Sequence, residues 1–301
     1  LLKKRKNKMA ESKMPHYGGQ ALIEGVLMRG KNYVVAAMRK PDGEIVTEHE
    51  KLTGIYTTRL AKMPLLRGLV ILWDSMVLGM KYITLSGNMQ LDEEEEKIEG
   101  AGLAVTVIVS IALAIGLFFV LPTLLAELVN KIFDLSPVGT NIAEGLVRLV
   151  ILVGYMWVIG LTEDIARVFS YHGAEHKTIN AYEDGVDVTV ENVLKYPVAH
   201  PRCGTAFLLT LVILSIFLFS ILGPMTFWVK LLSRILLIPL LTMFSYEVIR
   251  WMGDHLENPL VKIMTSPNLA LQKLTTREPN AQMVEVAITS FKQLLELEGS
   301  N

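Results

Sequence analysis

The sequence predicts a mainly α-helical, polytopic membrane protein with about four transmembrane helices in two hairpins. Three observations carry that expectation. Hydrophobic residues make up 51% of the chain and mean hydropathy is +0.40, both high for a soluble domain. Uncharged apolar runs recur, each long enough at about 1.5 Å per residue to cross about 30 Å of hydrocarbon. Lysine and arginine crowd the segments on one side of those runs and are sparse on the other.

In chain order, the basic stretch at residues 1–8 is not followed by an apolar run, so it does not read as a secretory signal. Residues 1–60 read as a small cytoplasmic β-containing unit. Two β-prone runs, 33–40 and 44–51, flank Pro41-Asp42-Gly43, a hairpin signal. Upstream, Gly18-Gly19 and Gly25 suggest tight turns or close backbone approach. No Gly-Lys-Ser/Thr follows, which excludes a phosphate loop. Residues 61–100 read as an interfacial helix and an acidic linker. The helix, 65–83, carries one polar stripe of Arg67, Asp74 and Lys81 and is expected at the membrane surface or against the bundle. The linker holds the acidic run at 92–96. Residues 101–251 are expected to contain the spans, at 101–121, 142–162, 205–223 and 231–249, the last containing Pro239. Residues 252–301 read as a cytoplasmic tail ending in an amphipathic helix at 279–297, with Val284, Ala287, Ile288, Phe291 and Leu295 on one face.

Flanking charge places both termini and the 163–204 connection in the cytoplasm, at the inner membrane. A formal net charge of -1 and the lack of a basic face argue against nucleic acid as a partner. The single cysteine, Cys203, excludes an internal disulfide. The partners implied are the lipid bilayer and a membrane-associated peptide or lipid-derived substrate.

Chemistry concentrates in the 163–204 connection, on a helix expected to continue from the second span without a strong break. His172, Glu175 and His176 stand in the order His-x-x-Glu-His, an inverted zinc-peptidase motif. Histidines four apart lie one turn apart on one helix face, with the carboxylate beside them. His200 and Cys203 follow at the mouth of the third span. The connection leaves and re-enters one membrane face, so its ends must approach each other. His172, His176, His200 and Cys203 are therefore candidate ligands for a divalent metal, zinc being the first choice. If all four bind, the metal is structural; if three bind, water takes the fourth place and Glu175 is the candidate catalytic base. Glu183, Asp187, Glu191, Glu247, Asp254 and His255 are further ligand candidates. Plainer readings stand beside these. The histidines can be ordinary helix residues, Cys203 a small buried hydrophobe and His200 a turn cap. Glu163 with Arg167 reads as an i,i+4 surface pair, and Glu247, near the membrane boundary, as a partner of Arg250.

The chain resembles the YqhQ-like bacterial membrane proteins of unassigned function. The resemblance rests on residues 18–29, 171–177, 200–205 and 274–279, four blocks spread over nearly the whole chain. The sequence departs from that pattern at Leu27, where methionine is expected. The family is described as predicted metal-dependent enzymes, so the resemblance implies a metal and an enzymatic site, without a reaction or substrate. Together these readings lead to an expected metal-dependent membrane enzyme, hydrolytic, with its site at the cytoplasmic surface. The rival is a non-enzymatic membrane scaffold or assembly factor with a structural metal. A transporter fits less well, because the spans carry few charges and no repeat is evident.

Overall fold

The computed structural model describes residues 17–91, 97 and 99–299. The basic N-terminal stretch and the acidic run at 92–96 lie outside the described residues.

The N-terminal unit is an antiparallel meander of β1 (Gly18–Leu22), β2 (Gly25–Arg29), β3 (Tyr33–Arg39) and β4 (Ile45–Lys51). The expected hairpin is β3–β4, and Gly43 takes the left-handed φ of 91° that its turn requires. The β1–β2 hairpin was not foreseen. Its strands are rich in glycine, and its two-residue loop, Ile23-Glu24, contains no usual turn residue. Glu24 sits at φ 51°, and its carboxylate is gripped by Arg167 at 2.6 Å from both Nε and Nη2. The expected Glu163–Arg167 pair is thus replaced by a long-range one.

Helices cover both faces of this sheet. α1 (Leu66–Asn88) brings Leu78 and Tyr82 against Leu22, Leu27, Ala36 and Met38. Its polar stripe turns toward protein: Asp74 is fully buried 2.5 Å from Arg29, Lys81 reaches Glu50, and Arg67 holds Glu247. Glu247 therefore pairs with Arg67, not with Arg250. The opposite sheet face packs on α5 (Glu163–Glu183) and α11 (Ala281–Gly299) through Val26, Met28, Val35, Tyr171, Ala174, Val284 and Phe291. The short α6 (Val190–Val193) closes this core with Val193. Near the chain end, Glu298 accepts the backbone N–H groups of Asn32 at 2.6 Å and Tyr33 at 3.0 Å. The 1–60 unit, the 163–204 connection and the C-terminal helix consequently share one core.

The remaining helices form an apolar bundle. They are α2 (Gly100–Ile115), a π turn (Gly116–Val120), α3 (Leu121–Phe133), α4 (Pro137–Ile159), α7 (Gly204–Ile221), α8 (Phe227–Leu236), α9 (Ile238–Asp254) and α10 (Pro259–Gln272). Four helices among the described residues are long and apolar enough to cross a membrane: α1, the continuous run Gly100–Phe133, α4 and α7. The expected span at 231–249 is instead a broken pair, α8 and α9, bent by 44°. Pro239 has no N–H to offer the Ile235 carbonyl one turn back, and the ladder fails there. The same cause acts at Pro122, which leaves the Phe118 carbonyl without its helical donor, within the π turn. Arg148 Nε supplies the missing bond at 2.9 Å.

Arg148 belongs to a buried charge cluster. Glu144 accepts from Arg148 at 2.7 Å and from Arg234 at 3.0 and 3.1 Å, while Arg234 also donates to Asn141 at 2.7 Å. α4 and α8 are clamped by one carboxylate between two guanidinium groups, and Arg234 stacks on Phe219 of α7 at 4.2 Å.

Candidate metal centre

The helix bearing the histidines does not run straight out of α4. It starts afresh at Thr162 after a break at residues 160–162, where Arg277 donates to the Gly160 carbonyl. The segment around Arg277 then crosses α5 at Gly173. A Cβ on that glycine would collide with the Arg277 carbonyl oxygen, so the residue between the ligands must be glycine for the chain to pass.

That crossing fixes the first histidine. His172 Nδ1 lies 2.8 Å from the Thr275 carbonyl, and His176 Nδ1 lies 2.6 Å from the Val198 carbonyl. A carbonyl only accepts, so each Nδ1 carries the hydrogen and each Nε2 keeps its lone pair. This is the arrangement by which outer partners orient metal-binding imidazoles. His172 Nε2 lies 3.2 Å from Cys203 Sγ. Cys203 caps the N-terminus of α7 and receives the Thr205 N–H at 3.4 Å. Ligand atoms of His172, His176 and Cys203 all lie within 4.8 Å of one another. Tetrahedral zinc with bonds of about 2.0–2.3 Å needs its ligands roughly 3.5 Å apart. The trio has side chains of the type such an ion takes, held near this spacing. Burial lowers the His176 pKa, with Cys203 opposing, which favours the neutral ring that binds metal.

His200 is not part of the trio. Its backbone N–H and C=O are held by the Gln272 amide at 3.0 and 2.8 Å, and its Nε2 points toward Glu183 Oε2, 3.5 Å away and outside hydrogen-bond geometry. The ring lies beside His176, 5.5 Å between centroids. Of the other ligand candidates, Glu183 pairs with Arg202, Glu191 with Lys195, and His255 Nδ1 with the Trp251 carbonyl. Asp254 lies on the wall of the cavity described next.

Glu175 is placed as a base would be. Burial pushes its carboxyl up to about 7, against the opposing pull of His172 and of the Gly19 N–H that bonds it. Its Oε2 is buried without a hydrogen-bond partner. Gly19 was not singled out for this role. A Cβ there would meet the Leu27 carbonyl, and Glu175 Cδ at 2.9 Å, so β1 runs flush against the carboxylate. A cavity of about 590 Å³ joins these groups; its wall includes Gly19, Glu175, His172, His176, His200 and Cys203. The far wall comes from α1, with Ile71, Asp74 and Leu78, and from α9, with Tyr246 and Ile249.

Comparison with known proteins supports the family resemblance. Residues 63–297 match a family described as "Protein of unknown function (DUF1385)". The chain is 37% identical over 300 residues to "Uncharacterized protein YqhQ" of Bacillus subtilis (strain 168), covering 94% of this chain and 93% of that protein. No solved structure matches the chain. All four blocks meet at the site: Gly19 on Glu175, Gly173 under Arg277, Thr275 on His172, and Cys203 beside both histidines. On these matches the chain belongs to the DUF1385 family.

Proposed function

We propose that this protein is a metal-dependent hydrolase of the bacterial inner membrane, working at the cytoplasmic surface on a peptide or lipid-derived substrate. The observation that carries the reading is the convergence of His172, His176 and Cys203 in one cavity with Glu175, whose buried Oε2 has no partner. Two histidines and a cysteine suit zinc among the divalent ions. Three protein ligands leave a fourth position open, the catalytic pattern. A zinc ion held there would activate water and polarise a scissile carbonyl. Glu175 takes a proton from the attacking water at Oε2 and returns it to the leaving group. Gly19 steadies the carboxylate through its N–H, and His200 borders the cavity without binding the ion. The bilayer partner follows from the apolar helices, and the cytoplasmic placement of both termini follows from the lysine and arginine flanks.

The experiment pairs metal analysis with function. Detergent-purified protein is expected to carry about one zinc per chain, and His176→Ala to lose it. Glu175→Gln, nearly isosteric, should keep the metal and fold but lose about 10²- to 10⁴-fold in activity and fail in complementation. Folded wild-type protein without metal, isolated without chelator, would refute the site. A metal-loaded and fully active Glu175→Gln variant would favour the rival scaffold reading, in which the ion only staples the connection.

A further inference from the structure

The two edges of the sheet are built differently. In the order β1-β2-β3-β4, neither β1 nor β4 has a second strand neighbour among the described residues. β4 carries Glu48, His49, Glu50 and Lys51, charges of the kind that guard an edge against added strands. β1 reads Gly-Gly-Gln-Ala-Leu and carries no charge, and Gly18 is exposed. The unguarded edge is also the one that borders the cavity, through Tyr17, Gly18, Gly19 and Gln20.

Register fixes which backbone groups face outward. Leu22 pairs with Gly25 across the two-residue loop, which makes them a hydrogen-bonded pair. Alternation then turns Gly18, Gln20 and Leu22 toward β2, and Gly19 and Ala21 away from it. Gly19 confirms this phase, since its N–H reaches Glu175. Among the described residues, no strand pairs with the Gly19 carbonyl or with either Ala21 backbone group.

We propose that the substrate is an extended peptide that adds to β1 as a fifth strand, with its scissile bond beside Glu175; cleavage, though not binding, rests on the hydrolytic reading above. Main-chain pairing with Gly19 and Ala21 supplies the grip, and apolar wall residues such as Ile71, Leu78 and Ile249 take alternate side chains. An acyl chain laid along the same edge would leave those backbone groups unsatisfied. In the step itself, the water oxygen bonds to the peptide carbonyl carbon and the C–N bond breaks. Glu175 carries one water proton to the departing nitrogen, giving a carboxylic acid and an amine with no change in oxidation state.

The test uses the full-length, zinc-loaded protein in detergent and a mixture of end-blocked decapeptides randomised at every position, read by mass spectrometry. Wild type should cut peptides, and Glu175→Gln should retain them uncut. A retained peptide is then N-methylated at one backbone nitrogen at a time. Strand addition predicts that affinity falls about tenfold, the loss of one hydrogen bond, at alternate positions only. Peptides neither retained nor cut, or losses without that alternation, would overturn the inference. Hydrolysis of phosphatidylglycerol vesicles, with peptides ignored, would overturn it while sparing the hydrolase reading. Peptides retained with the alternating signature but never cut would sustain the strand and remove the hydrolase.

Discussion

Gly173 shows how closely one residue controls the metal centre. The Arg277 carbonyl occupies the place a Cβ would take, and the Thr275 carbonyl two residues earlier orients His172. Gly173→Ala should displace that crossing and free the imidazole, with the ligands themselves untouched. Zinc affinity is expected to fall about 10- to 100-fold, the usual cost of losing an outer partner, as measured by competition with a chromophoric chelator. An unchanged affinity would mean that Thr275 does not position the ring. At this scale the approach of His172, His176 and Cys203 to one another was legible, because the spacing of residues on a helix is fixed and the connection had to return to one level. His200 stands outside that grouping, its backbone held by Gln272 of α10, a contact no local pattern announces. Gly19 was read only as a site of close approach; what approaches it is a carboxylate on a distant helix.

Among the elements, the run from α2 to α3 illustrates a proline answered from another helix. Pro122 strips the Phe118 carbonyl of its helical donor, and Arg148 of α4 replaces it. Arg148→Met leaves that carbonyl bare and breaks half of the Glu144 clamp, so a loss of about 3–5 kcal/mol is expected. Adding Pro122→Ala restores an N–H to the carbonyl and should recover about 1 kcal/mol of it. Unfolding of the two single variants and the double variant in detergent measures the coupling, and simple additivity would deny the link. Hydropathy located where the 101–121, 142–162 and 205–223 runs begin to within about five residues, but the first continues to Phe133. It missed the bend between α8 and α9, and it gave no sign that Glu144 and Arg148 join a buried cluster. Their partner, Arg234, lies on a helix whose approach depends on that bend. The β1–β2 hairpin escaped notice for a related reason: glycine-rich strands hold their shape by pairing and cover, with little propensity of their own.

For the whole molecule, orientation across the membrane is the open quantity with the sharpest test. Lysine and arginine flanks predict that the α3–α4 junction and the connection between α5 and α7 lie on opposite sides. Lys131→Cys and Asp187→Cys, each in a Cys203→Ser background, should label from opposite sides with an impermeant thiol reagent. Labelling of both from one side would reject the arrangement. The order of synthesis gives the shared core of the sheet a further meaning. β1 to β4 emerge first, yet one sheet face waits for α5, and its cover is incomplete until α11, near the chain end, has been made. The apolar helices are therefore complete in the sequence before the site beside β1 is covered. A chain cut before α11 would leave Val26, Met28 and Val35 without Val284 and Phe291 against them.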